Sequence, residues 1–540
     1  MTDATILDAS ILPPRQSFAR QMGEVLLIVL VFFTVAGDPP PHVNEAHYLC
    51  RLKHFWNPAW CPNDLFLNST DTQTVFIWSF GWVTRWLSLT ATAWVGRVIA
   101  WTLLAWAWRR LSWRLVPRPS AAVLSAALFV TLIDLGNFAG EWVVGGVEAK
   151  CFAYVFVLLA LRELIDRHWN WVWVLLGAAT AWHPIVGGWS GLICGGIWLL
   201  HERSIASLRT MLPGIIVGGL LGLVGVMPAL SLTWNEPADV VAEANRIYVF
   251  DRLPHHLAPL TLPPPEVTRK LWRFAAVLAA LIVLGRMRWQ AGEMSNAVGL
   301  QRIVEFAWGA VLIAAVGFAI ELALKSQPLL AGRLLRYYWF RLADVAAPLA
   351  VALLATAIVA YGLERRRAWA AFGLATAIAF TGWHLANTAW QLALDPIAPA
   401  DSRMKDVAAW SDVCDWIAAN TPVDAIFLTP RLSASFKWRT SRPEVVTMKD
   451  IPQDAGSILE WYRRLNDFFY EKMYGKRLPI ESIGRLGSER VRELAKKYGA
   501  SYVLTDREEL LRLPTVYPTP ENPNEEYVVY RIDDEPAGGK

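Results

Sequence analysis

The sequence predicts an all-α polytopic membrane bundle followed by a C-terminal extracytoplasmic α/β domain. Apolar residues make up 54% of the 540 residues and charged residues only 18%, against roughly 25% charged residues in soluble proteins. Apolar runs long enough for a membrane helix recur as far as residue 390, and the composition then changes to short mixed segments. The net charge of +4 is too small to indicate a nucleic-acid partner.

This change of composition predicts two domains. We expect a transmembrane domain over residues 1–395 and a soluble domain over residues 396–540. A first outer loop, residues 38–74, should follow the first apolar run, residues 23–37. That run is interpreted as an uncleaved span, and a signal peptide cut after Ala36 is the alternative.

The remaining apolar runs differ in whether they predict a span. Residues 75–90 contain Arg85 in mid-segment, which predicts a helix lying at the membrane interface. The other runs bring the expected number of spans to about eleven, at roughly 20 residues each. These further spans are expected at residues 92–108, 120–137, 150–166, 170–182, 185–200, 211–230, 271–286, 303–323, 342–362 and 368–390.

Arginine-rich turns after alternate spans predict the orientation of the bundle, because cytoplasmic loops carry an excess of Lys and Arg. The N-terminus is therefore expected in the cytoplasm. An odd number of spans then places the C-terminal domain outside, in a multi-pass protein of the inner (plasma) membrane. The arginines of these turns are Arg109, Arg110, Arg114, Arg118, Arg162, Arg167, Arg203, Arg209, Arg286, Arg288, Arg365, Arg366 and Arg367.

The C-terminal segment has the pattern of a small α/β domain. The stretch "VCDWIAANTPVDAIFLTPR" predicts an amphipathic helix, a Thr-Pro turn and a short strand. Helices are predicted at "ILEWYRRLNDFFYEKMYG" and "SERVRELAKKYG", the second ending at Gly499. Strands are predicted at "ASYVLTD" and "EEYVVYRID".

The first outer loop contains an unusual concentration of functional side chains in "HVNEAHYLCRLKHFWNPAWCPNDLFL", residues 42–67. Glu45 lies near the low-dielectric region, where a carboxylate can act as a general base. The alternative is a solvated loop acid. His47 is a candidate substrate-binding residue, and Cys50 and Cys61 are candidates for a disulfide if the loop lies outside the cytoplasm.

A second group of charged residues occurs in "GEWVVGGVEAK", at an outer helix boundary. Glu148 is a candidate second catalytic acid, for a metal or an acceptor, and Lys150 is a candidate substrate-binding residue. The alternative pairs Glu148 with Lys150, or with a nearby arginine, in a structural ion pair. This structural interpretation is the slightly favoured one.

Two further segments carry candidate phosphate-binding residues on the outer side. His255 and His256 in "RLPHHLAPLTLPPP" could bind a lipid phosphate, or could belong to a loop held by its prolines. Arg333, Arg336 and Arg341 in "RLLRYYWFRLAD" lie among aromatic residues. Outer arginines run against the positive-inside bias, which favours phosphate binding over an aromatic belt with snorkelling arginines.

The segment Asn44-Glu45-Ala46-His47-Tyr48, just after the first span, resembles the acidic motif in the first outer loop of the GT-C membrane glycosyltransferases. These include protein O-mannosyltransferases, lipid A aminoarabinose transferases and oligosaccharyltransferase catalytic subunits. Glu45 matches the family Glu, and Asn44 stands where the family commonly has Asp. The overall pattern is also similar to a bacterial multi-pass membrane family with no assigned activity.

The GT-C resemblance implies a fold and a reaction. The fold would be a GT-C-like bundle with an outer C-terminal domain. The reaction would move a sugar from a polyprenyl-phosphate donor in the membrane lipid to an extracytoplasmic acceptor. Glu45, alone or with a divalent metal, would deprotonate or orient the acceptor, and Arg336 and Arg341 would stabilise the leaving phosphate. The alternative is a non-catalytic membrane protein or a transporter on the same scaffold.

Overall fold

The computed structural model describes residues 16–290, 296–473, 476–480 and 482–532. Its first helix, α1 (Phe18–Ala36), begins at the cap Ser17, whose hydroxyl accepts a hydrogen bond from the Arg20 backbone. The first loop then folds into three short helices and a 3₁₀ turn. These are α2 (Val43–Trp56), α3 (Leu65–Asn68), α4 (Thr74–Ser79) and the turn Gly81–Arg85.

The prediction of one continuous interface helix over residues 75–90 is therefore wrong. The segment is divided between α4, the 3₁₀ turn and the start of the next helix, which begins at Leu89 behind the cap Ser88. The helices that follow are α5 (Leu89–Leu115), α6 (Ala121–Gly136), α7 (Ala149–Ile165), α8 (Trp169–Trp182), α9 (Pro184–His201) and α10 (Ile205–Ser231).

A loop of short helices separates α10 from the last part of the bundle. It contains α11 (Ala238–Arg246), a π-helical turn Ile247–Arg252, α12 (Pro254–Leu257) and a 3₁₀ turn Pro259–Thr261. The bundle is completed by α13 (Pro264–Gln290), α14 (Ala297–Ala323), α15 (Pro328–Leu335), α16 (Arg341–Glu364) and α17 (Ala368–Leu394).

Each predicted span contains a helix, but the helices are not equally suited to crossing a membrane. Six helices of the described chain are both long and apolar enough to do so, namely α1, α5, α9, α10, α14 and α16. The chain is therefore an integral membrane protein with several apolar helices, and the number of eleven spans stays a prediction. Helix α16 is the most enclosed of the six, with 89% of its most apolar 18-residue stretch buried inside the protein.

The C-terminal domain combines a mixed sheet with flanking helices. Its helices are α18 (Val407–Asn420), α19 (Phe436–Thr440), α20 (Ala455–Phe469) and α21 (Gly487–Tyr498). The strands are β1 (Phe427–Leu428), β2 (Tyr470–Met473), β3 (Lys476–Pro479), β4 (Tyr502–Asp506), β5 (Thr515–Tyr517) and β6 (Tyr527–Arg531). The main sheet has the order β1-β4-β6-β5, with β1 and β4 parallel and the other pairs antiparallel.

The pattern of the tail predicted most of this domain. The helices α18, α20 and α21 and the strands β1, β4 and β6 lie where the sequence placed them, and Gly499 ends α21 in the left-handed region at φ 70°. The hairpin of β2 and β3 and the edge strand β5 were not predicted. Residues 470–473, expected at the end of a helix, form β2 instead.

The C-terminal domain packs on the end of the bundle where α1 ends and α5 and α7 begin. Ala244 of α11 and Ile247 of the following π-helical turn share a hydrophobic core with the buried face of α20, including Trp461. Polar contacts join the first loop to the same domain, such as the one from Thr72 to Gln453 at 2.6 Å. Several of the residues predicted to carry chemistry, such as His47, lie along this interface.

Candidate functional site

Glu45 is held by four N–H groups at the start of α2. Its two oxygens accept hydrogen bonds from Arg97 Nε at 2.7 Å and Arg97 Nη2 at 2.6 Å. The backbone N–H groups of His42 and Val147 donate to the same oxygens at 2.8 and 2.9 Å. The side chains of Glu45 and Arg97 are both 0% exposed. Glu45 therefore ties α2, α5 and the loop before α7 together.

This environment bears on the predicted role of Glu45. An ionised carboxylate has about four lone-pair sites, and here four N–H donors fill them. A general base needs a site within hydrogen-bond reach of the proton that it removes. The catalytic role of Glu45 stays a prediction, and the geometry favours a positioning role.

A buried chain of alternating charges lies beside this pair. Lys150 Nζ is 2.7 Å from Glu141 Oε1 and 2.8 Å from Glu148 Oε1. Arg341 Nε is 3.0 Å from the other oxygen of Glu141. The three side chains of Lys150, Glu141 and Glu148 are at most 5% exposed. The predicted ion pair between Glu148 and Lys150 is thus present and belongs to a larger cluster.

Asn44 extends this cluster to the C-terminal domain. Its amide nitrogen donates to Glu148 Oε2 at 3.1 Å, and its oxygen accepts from Lys449 Nζ at 2.6 Å. Burial, reinforced by the neighbouring Arg252, lowers the pKa of Lys449 to about 7. Lys449 was not identified from the sequence, because "VTMKD" looks like an ordinary loop and lies 405 residues from Asn44.

A second buried cluster fixes the C-terminal domain to the first loop. Lys437 Nζ lies 2.6 Å from Asp450, 2.7 Å from Glu444 and 3.2 Å from Asp64 of the loop. His47 Nδ1 lies 2.9 Å from the other oxygen of Asp450. His47, predicted to bind substrate, is thus 7% exposed and docked against the C-terminal domain.

Burial and charge shift the pKa values in this second cluster in opposite directions. Burial raises the pKa of Glu444 to about 7, against the attraction of Lys437. Burial also opposes ionisation of Asp450, but Lys437 and His47 outweigh it and hold the pKa of Asp450 well below its usual range. Burial lowers the pKa of His47 to about 4, so His47 is neutral at pH 7 and donates its Nδ1 proton to the Asp450 carboxylate.

A cavity of about 230 Å³ adjoins the first cluster. Polar and aromatic residues line it together with apolar residues of α1 and α6; the lining includes Glu141, His42, Trp142, Asp38, Asp134, Val35 and Ile133. The Lys150 ammonium lies 3.8 Å from the centre of the Trp142 ring. The cavity therefore joins an apolar wall to the charged cluster.

The other predicted phosphate-binding residues lie at different distances from this cluster. Arg341 belongs to it, whereas Arg336 donates to Asn245 at 2.6 Å and Arg333 is exposed. The segment is not one helix, because α15 ends at Leu335 and Tyr338 has a φ of 53° before α16 begins. Arg333 and Arg336 consequently do not extend the charged chain.

The two adjacent histidines occupy the edge of the site. The His256 ring nitrogen Nδ1 is hydrogen-bonded to the Ala139 carbonyl, and the His255 ring packs 4.0 Å from it. Burial lowers the pKa of His255 to about 3, and burial with Arg341 lowers the pKa of His256 well below its usual value. Both rings are therefore neutral at pH 7 in this structure, and their role in phosphate binding stays a prediction.

The predicted disulfide is not formed in this structure. Cys50 and Cys61 are both buried free thiols. Burial raises the pKa of both thiols well above the usual value, which keeps them protonated at pH 7. In this environment each behaves as a small apolar side chain.

The donor set of the first cluster does not fit a divalent metal. No group of three or more His, Cys, Asp or Glu residues able to hold a metal occurs among the described residues. The position between Glu141 and Glu148 is taken by the Lys150 ammonium, 2.7 and 2.8 Å from their oxygens. A cation there would have to displace a buried positive charge that already neutralises both carboxylates.

The chain is similar to one family of domains in sequence and to membrane proteins in structure. Residues 408–468 match a domain of unknown function, DUF6798. No curated protein sequence matches the chain. The structure is similar to the archaeal oligosaccharyltransferase AglB from Archaeoglobus fulgidus, in complex with an inhibitory peptide and a dolichol-phosphate. The identity is 12% over 90% of this chain and 69% of AglB, with a TM-score of 0.47.

A second similar structure is ArnT from Cupriavidus metallidurans bound to undecaprenyl phosphate. The identity is 13% over 97% of this chain and 99% of ArnT, with a TM-score of 0.35. Both TM-scores are below 0.5, so these similarities do not assign an activity to this chain. Fold and site together define an integral membrane protein whose C-terminal α/β domain closes over a buried charged cluster.

Proposed function

We propose that this protein is a membrane glycosyltransferase of the GT-C type, which transfers a sugar from a polyprenyl-phosphate donor to an extracytoplasmic acceptor. The observation that carries the proposal is the charge chain from Arg341 through Glu141, Lys150, Glu148 and Asn44 to Lys449. It joins the bundle, the first loop and the C-terminal domain. The resemblance around Glu45 supports the same class of reaction.

In this proposal Glu148 is the general base. Two groups, Asn44 and Lys150, contact its carboxylate, which leaves about two of its four lone-pair sites for an acceptor. The acceptor's nucleophilic atom attacks the anomeric carbon, and its proton passes to Glu148. The bond between that carbon and the phosphate oxygen breaks, and its electron pair leaves with the polyprenyl phosphate.

The cations of the cluster are suited to the leaving phosphate. Three positive groups, Lys150, Arg341 and Lys449, face two carboxylates, Glu141 and Glu148, so the cluster has a net charge of +1 when Lys449 is protonated. Fixed positive groups in a buried site stabilise charge that develops in the transition state. Arg341 offers a planar guanidinium for phosphate oxygens. Glu45 and Arg97 position α2 under this site.

The adjoining cavity gives the donor a route. Its apolar wall on α1 and α6 matches the polyprenyl chain, and Glu141 and Trp142 lie at its polar side. The C-terminal domain, which contributes Lys449 to the phosphate-binding cations, would also form the acceptor side. Glu141 belongs to both the cavity wall and the charge chain, so in this proposal the donor reaches Glu148 from the cavity past Glu141 and Lys150.

The test is transfer from a polyprenyl-phosphate sugar by the purified full-length protein in vesicles. Glu148→Gln keeps the shape of the side chain and removes its charge, so transfer should fall about 10²–10⁴-fold. Glu24→Gln is the matched control, since Glu24 is a buried carboxylate 2.8 Å from Arg109 at the other end of the bundle. Equal rates in Glu148→Gln and the wild type would contradict the proposal.

A further inference from the structure

The end of the bundle opposite the C-terminal domain contains a cavity of about 310 Å³. It lies where α1 begins and where α5 and α7 end. Among the described residues, four arginines line it and no carboxylate does; the lining arginines are Arg109, Arg110, Arg114 and Arg162. The indoles of Trp106 and Trp113 complete the wall. Its walls are therefore cationic and aromatic.

Most of these arginines already have acidic partners behind the wall. Arg109 is 2.8 Å from Glu24, and Arg114 is 2.5 Å from Asp166. Arg110 has no carboxylate within 4.0 Å among the described residues, and its guanidinium lies 5.2 Å from the centre of the Trp106 ring. Its side chain is exposed and lines the cavity, so its positive charge is uncompensated within the part of the chain that the structure describes.

A second observation points to an anion in this cavity. The side-chain nitrogen Nε2 of Gln16 is buried and has no hydrogen-bond partner in the part of the chain that the structure describes. The oxygen of the same amide accepts a hydrogen bond from Arg109, which fixes its orientation and leaves Nε2 as the free donor. Gln16 lines the cavity, so an orphaned donor lies among guanidinium groups.

The surface next to the cavity identifies the source of that anion. Large apolar side chains of α1 and α5, the helices that line the cavity, are exposed, with Leu26 59% and Leu30 59% exposed on α1. Ile99 on α5 is 42% exposed and Trp106 is 40% exposed. Such an apolar surface can contact the acyl chains of a lipid, whereas a soluble phosphate has no apolar part to place there. Basic pockets between membrane helices are typical sites for anionic headgroups.

We infer that this cavity binds the phosphate of an anionic glycerophospholipid in the leaflet opposite the C-terminal domain. Arg110 and the Gln16 amide donate to the phosphate oxygens, and Trp106 packs at the interface with the acyl chains. Because the other three arginines are paired with carboxylates, Arg110 supplies the positive charge that favours an anionic over a zwitterionic headgroup. The site is separate from the proposed transfer centre and does not depend on it.

The test compares two lipids on the same protein. The full-length protein in detergent is mixed with phosphatidylglycerol and phosphatidylcholine of identical acyl chains, and native mass spectrometry measures the retained lipid. Phosphatidylglycerol should be retained preferentially. Arg110→Gln should weaken its retention roughly fivefold, as expected for loss of one basic residue at a membrane surface. Arg110→Lys keeps the charge and should restore most of the retention.

The control is Arg209→Gln, which removes another exposed arginine at the same end of the bundle outside the cavity. It should leave retention unchanged. Equal retention of both lipids, or an equal loss in Arg110→Gln and Arg209→Gln, would overturn the inference. Displacement of phosphatidylglycerol by millimolar inorganic phosphate would overturn it as well, because it would assign the cavity to a soluble anion.

Discussion

Replacing Glu45 by Gln separates an anchoring role from a catalytic one. The substitution leaves the Arg97 guanidinium buried, at 0% exposure, without its counter-charge. Breaking a buried ion pair by removing one partner costs about 3–5 kcal/mol. The two backbone N–H groups of His42 and Val147 donate to different oxygens of Glu45, and Gln offers only one oxygen, so one of these hydrogen bonds is lost as well. At roughly 2 °C per kcal/mol, the melting temperature should fall by about 6–10 °C.

The assay is thermal unfolding of the purified variant in detergent, together with transfer measured well below the melting temperature. The double variant Glu45→Gln with Arg97→Gln removes both charges and should recover part of the lost stability, because no buried charge is left unpaired. Unchanged stability with abolished transfer in Glu45→Gln would refute the anchoring role and make Glu45 the base.

Four further predictions concern the two clusters. The pKa of Lys449 is lowered to about 7, so its positive charge disappears as pH rises through that value. The KM for the donor should therefore increase at pH values above 7. In Lys449→Arg this increase should be absent. The folded state also binds fewer protons than the unfolded state between about pH 7 and 10.5, so the contribution of Lys449 to stability should increase with pH there. Lys437→Met leaves three buried carboxylates without their cation, and should make the C-terminal domain susceptible to proteolysis under conditions where the wild type resists. Lys150→Ala removes the ammonium between Glu141 and Glu148, leaves Glu141 paired with Arg341 alone, and should create Mn²⁺ binding visible by electron paramagnetic resonance. Equal Mn²⁺ binding in the wild type would show that Lys150 does not exclude the metal.

The bundle was predictable because each element depends on local sequence. Apolar runs gave the position of every long helix, and polar caps such as Ser88 and Asp454 mark where helices begin. The tail helices follow from their amphipathic pattern. The end of α21 at Gly499 was predictable because glycine readily adopts the left-handed backbone conformation found there. The hairpin of β2 and β3 was missed because its sequence continues a helical pattern.

The site was predictable only in part. The pairing of Glu148 with Lys150 followed from their proximity in sequence. Arg97 was missed although it stands within an apolar run, and a charge at such a position signals a buried partner. Lys449 and Lys437 gave no such signal, since their partners Asn44 and Asp64 are brought near only by docking of the C-terminal domain.

The central claim is that Glu148 removes the acceptor's proton while the nearby cations hold the donor. The most direct test measures donor binding and transfer separately in Glu148→Gln, using a labelled polyprenyl-phosphate sugar in vesicles. The account predicts donor binding within about twofold of the wild type and a single-turnover transfer rate lower by about 10²–10⁴-fold. Loss of donor binding with an unchanged rate for the bound donor would contradict it.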